Sequence, residues 1–382
     1  MRIEFGQLKL GEIARANLND CIDKNWASGG PKVKEFENKW NTLFNYGSSV
    51  AVSSGTDAVL NAVAAVYDLK PESKRGDEVI VPALSFIATS NAVLMAGFTP
   101  VFVDVELDTL NIDPSKIEEK ITDKTRAIVV VHTMGKPCYM TRIMEIAKRY
   151  NLVVIEDCAE AHGAFHMGKY VGSWGDMGTF SFYVAHLICC GEGGMVSSAS
   201  TRWGPQYIAS LIRSTRSHGR VDGSLYFDHV RFGFNSKMND LEASLGLEGV
   251  SYFWETFNKR HASLMYLINR TMDLSEYAWF NTEAEYEQVC PHGFSITLKD
   301  PKLDCRKLTE FLEGKSIHVK RNFGSIPTQH KSFAWMGHKL GDYKRAEHIG
   351  DNGIHIGCHQ YLTPDDLEYI ADNIETYFKR KI

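Results

Sequence analysis

A single histidine stands in the middle of SFYVAHLICCGEGG, residues 181–194, between an apolar run and a glycine-rich turn. Ser181 opens the segment, and His186 follows five residues later. An imidazole titrates near neutral pH and can accept and return a proton, although a lone histidine is more often a packing residue. The GEGG turn lets the backbone approach a ligand closely. The segment is a candidate for acid–base chemistry beside a bound group.

Three other segments place candidate site residues at the ends of predicted helices or strands. SSGTDA places Gly55 and Thr56 before a helical pattern, where free backbone amides bind phosphate; the alternative is a plain helix cap by Thr56 or Asp57. Asp157, in IEDCAEAHGA, ends an apolar strand and could pair with a protonated cofactor ring nitrogen or cap a helix. Phe86, in PALSFIAT, could stack on a flat ring or belong to the core.

Strands and helices that alternate along the chain must position these residues. Short, strongly apolar runs predict buried strands, and apolar residues at helical spacing predict the helices between them. The expected strands are 77–82, 99–105, 126–132, 152–157, 177–183 and 194–198, and the expected helices are 57–69, 90–97 and 141–150. Alternation of this kind implies an α/β fold with a mostly parallel sheet flanked by helices.

The pattern changes near residue 250. Later strands are expected at 294–298 and 353–359, and later helices at 305–314 and 364–380. We therefore predict a large domain over residues 1–250, with an N-terminal arm, and a small C-terminal α+β domain over 251–382. Residues 226–240 have the composition of an irregular loop, long enough to suggest a function.

Composition excludes several classes of function. The chain has 382 residues, 44% hydrophobic residues and a net charge of −5 without a basic patch, so nucleic acid is not an expected partner. The N-terminal residues lack the apolar core of a signal peptide, and no apolar run is long enough to span a membrane. The 8 cysteines lack CxxC pairs, so we expect reduced thiols, no metal site and a cytoplasmic enzyme.

Taken together and in order, these motifs resemble the DegT/DnrJ/EryC1/StrS family, from about residue 20 through the terminal helix. The set is SSGTDA, GDEVIVPALSFIATSNAV, PVFVDVELDTLNIDP, VIEDCAEAHGA, GDMGTFSFYVAHLICCGEGGMV and GFNSKMND. The resemblance implies a fold type I aminotransferase scaffold and a sugar-modifying enzyme that uses pyridoxal 5'-phosphate or pyridoxamine 5'-phosphate.

The resemblance also implies roles for individual residues. Gly55, Thr56 and Ser181 would bind the cofactor phosphate, and Asn235 would reach the phosphate of a partner subunit, so a homodimer with shared sites is expected. Asp157 would keep the pyridine nitrogen protonated, which maintains the ring as an electron sink.

The resemblance places two further residues beside the cofactor ring. Phe86 falls where the family stacks an aromatic side chain on the ring. Glu160 falls where most family aminotransferases carry glutamine near the cofactor hydroxyl, and this departure leaves its role open.

The most informative departure is His186, which stands where family aminotransferases carry the lysine that links covalently to the cofactor. A branch of the family with the same replacement consists of sugar 3-dehydratases, including those of GDP-4-keto-6-deoxymannose. The resemblance implies loss of the C3 hydroxyl from a nucleotide-linked 4-keto-6-deoxy sugar, with His186 as the base and glutamate regenerating the amine cofactor. Alternatives are a sugar aminotransferase that has lost its lysine and a family member without activity.

Overall fold

The computed structural model describes residues 3–221, 225–300 and 303–379, in which helices and strands alternate. The helices are α1 (Glu12–Asp23), α2 (Pro31–Phe44), α3 (Gly55–Leu69), α4 (Ala88–Met95), α5 (Met140–Arg149), α6 (Pro205–Thr215), α7 (Asp240–Ser251), α8 (Phe253–Thr271), α9 (Cys305–Gly314), α10 (Ile326–Gln329), α11 (Lys344–Asn352) and α12 (Pro364–Lys379). The strands are β1 (Ser48–Val52), β2 (Glu78–Pro82), β3 (Thr99–Val103), β4 (Thr125–Val131), β5 (Val153–Asp157), β6 (Phe165–His166), β7 (Lys169–Tyr170), β8 (Met177–Ser181), β9 (Gly194–Ser198), β10 (Ala278–Phe280), β11 (Glu287–Gln288), β12 (Phe294–Leu298), β13 (Val319–Arg321) and β14 (Gly353–Ile356).

A seven-stranded sheet in the order β1-β9-β8-β5-β4-β2-β3 forms the centre of the fold. Neighbouring strands from β8 through β5, β4 and β2 to β3 pair in parallel, whereas β9 runs antiparallel to both β1 and β8. The expected mostly parallel sheet is confirmed, with β9 as its reversed strand. The carboxyl ends of the other six strands share one edge, where ligands bind in open α/β sheets.

Apolar residues on both faces of the strands explain why helices cover this sheet. Every residue of β1, β5, β8 and β9 is buried, and sheets covered on both sides need strands of this composition. Helix α3 packs on one face and contributes nine buried residues, including Val59, Val63 and Val66. Helix α5 lies among the other core residues, with Ile143 and Ile146 in a cluster with Val130 and Val154.

A second sheet, in the order β10-β12-β14-β13, is antiparallel throughout. Its core contains Leu308 and Leu312 of α9 and Ile370 and Ile374 of α12. This is the α+β arrangement expected for the C-terminal part, and the division at residue 250 stays a prediction. A small sheet, β11-β6-β7, is separate from both.

Among the described residues, no helix has the length and apolar character that a membrane crossing requires.

The predicted elements differ from the structure mainly at their ends. The strand expected at 177–183 ends at Ser181, and Tyr183 lies outside it, 47% exposed. The strand expected at 353–359 ends at Ile356. The helix expected from residue 364 is present as α12, and residue 380 lies outside the described residues. The described residues of 226–239 contain no helix or strand, as expected, and α7 begins at Asp240. All eight cysteines are buried free thiols.

Candidate active site

The register of three strands aligns the residues expected to hold a phosphate. Ser181 at the end of β8 pairs with Gly194 at the start of β9, and Gly194 pairs with Val52 at the end of β1. The chain then passes from Val52 through Ser53 and Ser54 into α3, so that the start of α3 lies beside Ser181. One edge of the sheet therefore brings SSGT, Ser181 and the GEGG turn together.

The contact between Gly55 and Ser181 is too close for any side chain at position 55. A Cβ atom on Gly55 would lie 2.4 Å from Ser181 Cβ and 2.7 Å from its Oγ. Helix α3 begins at Gly55, so the backbone amides of Gly55 and Thr56 are in its first turn and have no acceptor within the helix. This pocket of amides beside a hydroxyl has the donor set that a phosphate group requires.

The expected cap of this helix is wrong. Neither Thr56 nor Asp57 is the N-cap; the Ser54 side chain accepts a hydrogen bond from the Asp57 amide at 3.1 Å. The Asp57 carboxylate in turn accepts hydrogen bonds from the hydroxyls of Ser53 (2.6 Å) and Ser54 (2.9 Å). The periodic apolar pattern begins after Asp57, and this is why the sequence placed the helix start two residues late.

Asp157 is buried at the carboxyl end of β5, in the next strand position from Ser181. Its Oδ2 accepts a hydrogen bond from the Thr89 hydroxyl at 2.8 Å, and its Oδ1 accepts one from the Ala159 amide at 3.2 Å. No helix follows β5 directly, so the alternative of a helix cap is wrong. Burial raises the pKa of Asp157, and the hydrogen bond from Thr89 lowers it in part. A cationic ring nitrogen would stabilise the ionised carboxylate at this depth.

Phe86 and Asn235 are both on the surface. Phe86 is 61% exposed with its ring 6.0 Å from that of Phe323, which excludes the alternative of a core residue and leaves its face available to a ligand. Asn235 is exposed and accepts a hydrogen bond from Lys237 Nζ at 2.7 Å. The adjoining Ser236 carbonyl accepts from the Ser53 amide at 3.0 Å, which holds this segment against the start of SSGT.

His186 lies in a turn between β8 and β9, where its amide donates to the Tyr183 carbonyl at 3.0 Å. Its ring is 5.9 Å from the His162 ring and 5.4 Å from the His292 ring. His186 Nδ1 is buried and has no hydrogen-bond partner among the described residues. Burial, with Arg260 and Lys320 nearby, lowers the pKa of His186 to about 3. The expectation of a histidine that titrates near neutrality is therefore corrected: this imidazole is held neutral.

Glu160 faces the same space from the turn after β5. Its Oε2 accepts a hydrogen bond from the Met134 amide at 2.7 Å, and its Oε1 lies 3.4 Å from Nε2 of the buried His292. Burial raises the pKa of Glu160 to about 7. Glu160 is thus the group of this site that changes charge near neutral pH.

Four residues of the site were not expected from the sequence as functional residues. Buried Arg260 of α8 donates to the carbonyls of Pro291 (3.1 Å) and His292 (2.9 Å) and so fixes the His292 backbone. Lys320 of β13 is half-buried, with Nζ 4.0 Å from the ring centre of Phe5. His162 and His292 come from separate segments, so only the folded chain brings them to His186. No spacing in the sequence links these residues.

A second cluster, His132, Glu156 and Cys158, has side chains of the metal-binding type. Its polar atoms already have protein partners. Glu156 accepts from the amides of Gly172 (2.8 Å), Trp174 (2.9 Å) and Gly175 (2.7 Å), and its Oε2 lies 3.1 Å from His132 Nε2. His132 Nδ1 accepts from the Cys138 amide at 3.0 Å, so Nε2 carries the proton and donates to Glu156. The cluster is a structural hydrogen-bond network.

These residues fit a phosphorylated pyridine cofactor. The cradle of Gly55, Thr56 and Ser181 suits its phosphate, the buried carboxylate of Asp157 suits its ring nitrogen, and Phe86 presents an uncovered aromatic face. Position 186 offers an imidazole, which cannot form the covalent link to the cofactor that a lysine forms.

Comparison with known proteins places the chain among sugar-modifying enzymes. It is 32% identical over 366 residues to GDP-perosamine synthase of Escherichia coli O157:H7, covering 95% of each chain. It is 28% identical over 377 residues to GDP-4-keto-6-deoxy-D-mannose 3-dehydratase of Escherichia coli O55:H7, covering 93% of this chain and 95% of the relative.

Solved structures and a family model agree with that result. A mutant of GDP-4-keto-6-deoxymannose 3-dehydratase with bound GDP-perosamine superposes with a TM-score of 0.87 at 25% identity, covering 97% of this chain and 100% of that one. The family model for DegT/DnrJ/EryC1/StrS aminotransferases matches residues 9–375. Pyridoxal or pyridoxamine phosphate is the cofactor of that family. The chain is therefore an enzyme of the DegT/DnrJ/EryC1/StrS aminotransferase family, with its fold type I scaffold.

Proposed function

We propose that this protein is a 3-dehydratase of a nucleotide-linked 4-keto-6-deoxy sugar, with GDP-4-keto-6-deoxymannose as the favoured substrate. The observation that carries the proposal is His186, a neutral imidazole in the turn where the family aminotransferases have a lysine. The comparison with the 3-dehydratase of Escherichia coli O55:H7 over nearly the whole chain supports the same reaction class.

Each site residue has a role in this proposal. Gly55, Thr56 and Ser181 hold the cofactor phosphate, and Asp157 holds the proton on the ring nitrogen. The pyridoxamine form of the cofactor supplies the electron sink that allows a hydroxyl to leave the sugar beside its keto carbon. His186 takes up one proton in the site and returns a proton to the departing hydroxyl oxygen. We propose glutamate as the amino donor that restores the amine cofactor.

The second candidate is a sugar aminotransferase, favoured by the similarity to GDP-perosamine synthase. Such an enzyme needs an amine that can bond to the cofactor. Lys320 is the lysine whose charge acts on both His186 and Glu160, and burial lowers the pKa of its ammonium group. A covalent adduct of Lys320 with the cofactor would therefore support this candidate.

One assay separates the two candidates. The protein is incubated with pyridoxal phosphate, glutamate and GDP-4-keto-6-deoxymannose, and the products are analysed for 2-oxoglutarate, ammonia and a deoxygenated sugar. A dehydratase releases all three, whereas a stable 4-amino sugar as the only sugar product, formed with 2-oxoglutarate and without ammonia, would contradict the proposal. Borohydride reduction followed by mass spectrometry should find no cofactor adduct on the natural protein and an adduct on His186→Lys.

Substitutions test the role of the imidazole itself. His186→Asn should retain cofactor binding and lose dehydration, since an amide cannot carry the proton. His166→Asn is the control, because His166 is a buried histidine whose ring packs elsewhere, against Tyr139, Trp174 and Tyr286. Full dehydration activity in His186→Asn would show that another group is the base.

We also propose a homodimer in which Asn235 completes the phosphate site of the partner. The chain segment that leads to Asn235 supports this, because its Leu225, Phe227 and Phe232 are 93%, 83% and 76% exposed, and exposed apolar side chains in number mark protein interfaces. Mixing the Asn235→Ala and Asp157→Asn variants should restore activity that neither has alone, if the sites are shared. No recovery on mixing would place Asn235 outside the partner's site.

A further inference from the structure

In the proposed reaction, His186 must hold a proton between its uptake and its return to the departing hydroxyl oxygen. The low pKa of this imidazole means that an imidazolium is strongly disfavoured at neutral pH, and Arg260 and Lys320 both oppose its positive charge. A base of this kind works only if the proton is passed on as it arrives. The surrounding side chains supply a path.

The path runs through His292. His292 is 4% exposed, its ring centre lies 5.4 Å from that of His186, and its Nδ1 has no hydrogen-bond partner among the described residues. On its other side, Nε2 lies 3.4 Å from Glu160 Oε1, a separation that tightens when a site fills. The two Nδ1 atoms, on the neighbouring rings of half-buried His186 and buried His292, are not hydrogen-bonded to each other and can be joined by one water molecule.

We propose that Glu160 and His292 form a proton relay that switches His186 between its base form and its acid form. With Glu160 ionised, its carboxylate fixes the proton of His292 on Nε2, so that His292 Nδ1 is an acceptor. His186 then donates from Nδ1, which leaves its Nε2 as the base. The role in catalysis rests on the proposed function, whereas the coupling of the three side chains does not.

The proton balance of the relay is closed. A proton taken up at His186 Nε2 displaces the proton on Nδ1 to His292 Nδ1, and the proton on His292 Nε2 moves to Glu160 Oε1. Glu160 ends neutral, both imidazoles stay neutral, and His186 now carries its proton on Nε2, ready to protonate a leaving hydroxyl. The reverse transfer restores the carboxylate.

Burial of Glu160 and the cations beside the imidazoles favour this direction of transfer, and the charge of Lys320 on Glu160 opposes it in part. The charged and titratable groups that act on its members are Asp157, Arg260, Lys320 and His355. The His162 ring also faces His186, at 5.9 Å between ring centres. The cations oppose a charge on either imidazole, while burial raises the pKa of Glu160 to about 7. Glutamine at position 160, the residue that the family resemblance leads one to expect, could not accept the proton. Arg260 acts as a positioning residue, because it holds the His292 carbonyl.

The test is the tautomer of His292 in the 382-residue chain without added cofactor. Histidine labelled with ¹⁵N distinguishes the protonated ring nitrogen from the unprotonated one, and the His292→Gln variant identifies the signals. In the natural protein, the proton of His292 should move from Nε2 to Nδ1 as the pH falls through about 7, with Glu160 as the titrating group. In Glu160→Gln the tautomer should be independent of pH.

Glu283→Gln is the matched control, because Glu283 pairs with His261 at 2.7 Å. This change should alter the His261 signals and leave the His292 transition intact. A His292 tautomer that is constant with pH in the natural protein, or a transition that persists in Glu160→Gln, would overturn the relay. If the transition is present but the product assay gives an amino sugar, the relay stands and the proposed dehydration fails.

Discussion

The contact between Gly55 and Ser181 yields the sharpest prediction, because a methyl group there has two opposing effects. Alanine is favoured over glycine within a helix by about 0.5–1 kcal/mol. Against this, the new Cβ of Gly55→Ala would lie 2.4 Å from Ser181 Cβ, and overpacking of this kind costs about 1–3 kcal/mol. The steric cost wins, so Gly55→Ala should lower the thermal midpoint of the protein.

The same substitution should weaken cofactor binding. If the Ser181 hydroxyl or an α3 amide is displaced from the phosphate, a hydrogen bond to a charged group worth about 1.5–3 kcal/mol is lost. The dissociation constant for pyridoxal phosphate should then rise roughly ten- to hundredfold, which titration by fluorescence or calorimetry measures directly.

A second substitution separates the two effects. Ser181→Gly removes both the atom that Gly55→Ala would strike and the hydroxyl, so the double variant should lose less stability than the two single losses together. Its affinity for the cofactor should nevertheless stay low. Gly314→Ala is the control, since nothing lies within 4 Å of a Cβ at that helix position. Two results would refute this phosphate site. One is a Gly55→Ala variant with the cofactor affinity and thermal midpoint of the natural protein, and the other is a double variant whose stability loss equals the sum of the two single losses.

Three further predictions concern the groups around the ring. Thr89→Val removes the hydrogen bond to Asp157 and should raise the pKa of that carboxyl, so that cofactor binding weakens toward acidic pH earlier than in the natural protein; an unchanged pH profile of binding would contradict this. Phe86→Ala should leave the thermal midpoint unchanged, because the side chain is exposed, but weaken cofactor binding by about 0.5–1.5 kcal/mol; equal affinity would exclude stacking. Folding raises the pKa of Glu160 from 4.5 to about 7. Because the unfolded chain ionises this carboxyl more easily, the folded protein loses at most about 3 kcal/mol of stability as the pH rises from about 4.5 to about 7. Glu160→Gln should therefore stabilise the protein more at pH 8 than at pH 5, as measured by thermal midpoints, and a difference of the opposite sign would refute the burial of this carboxyl.

The sequence predicts six of the seven strands of the central sheet, because most are short, strongly apolar runs. It missed β1, SSVAV, in which two serines shorten the apolar run. The place of Asp157 follows from the same pattern, since it ends such a run. Ser181 was expected two residues before the end of its strand, and the structure places it at the end. The reversal of β9 has no signature of its own in GMVSS, and the start of α3 was placed late because Ser54 caps a turn that precedes the apolar periodicity.

The surroundings of His186 could not be predicted from spacing. His162 and His292 are 130 positions apart in the chain, and the contact of each with His186 depends on the packing of separate segments. The effect of burial on the imidazole could not be foreseen either, because the sequence gives the ordinary pKa of a histidine and not the cations that oppose its charge. The candidate site residues could be named from the family resemblance, whereas the charges and burial that act on them became visible only in the folded chain.

The reversal of β9 has a consequence for how such an enzyme can change its chemistry. Because β8 and β9 are antiparallel neighbours, both ends of the segment that carries His186 are fixed by the Ser181–Gly194 pair. The Phe182 amide donates to the Gly193 carbonyl at 2.9 Å, and the Cys190 amide donates to the Phe182 carbonyl at 2.8 Å, which closes the segment at its base. A residue at its tip can thus be exchanged in evolution without moving the phosphate cradle below it. One scaffold can then acquire a new reaction by a single substitution and keep its cofactor.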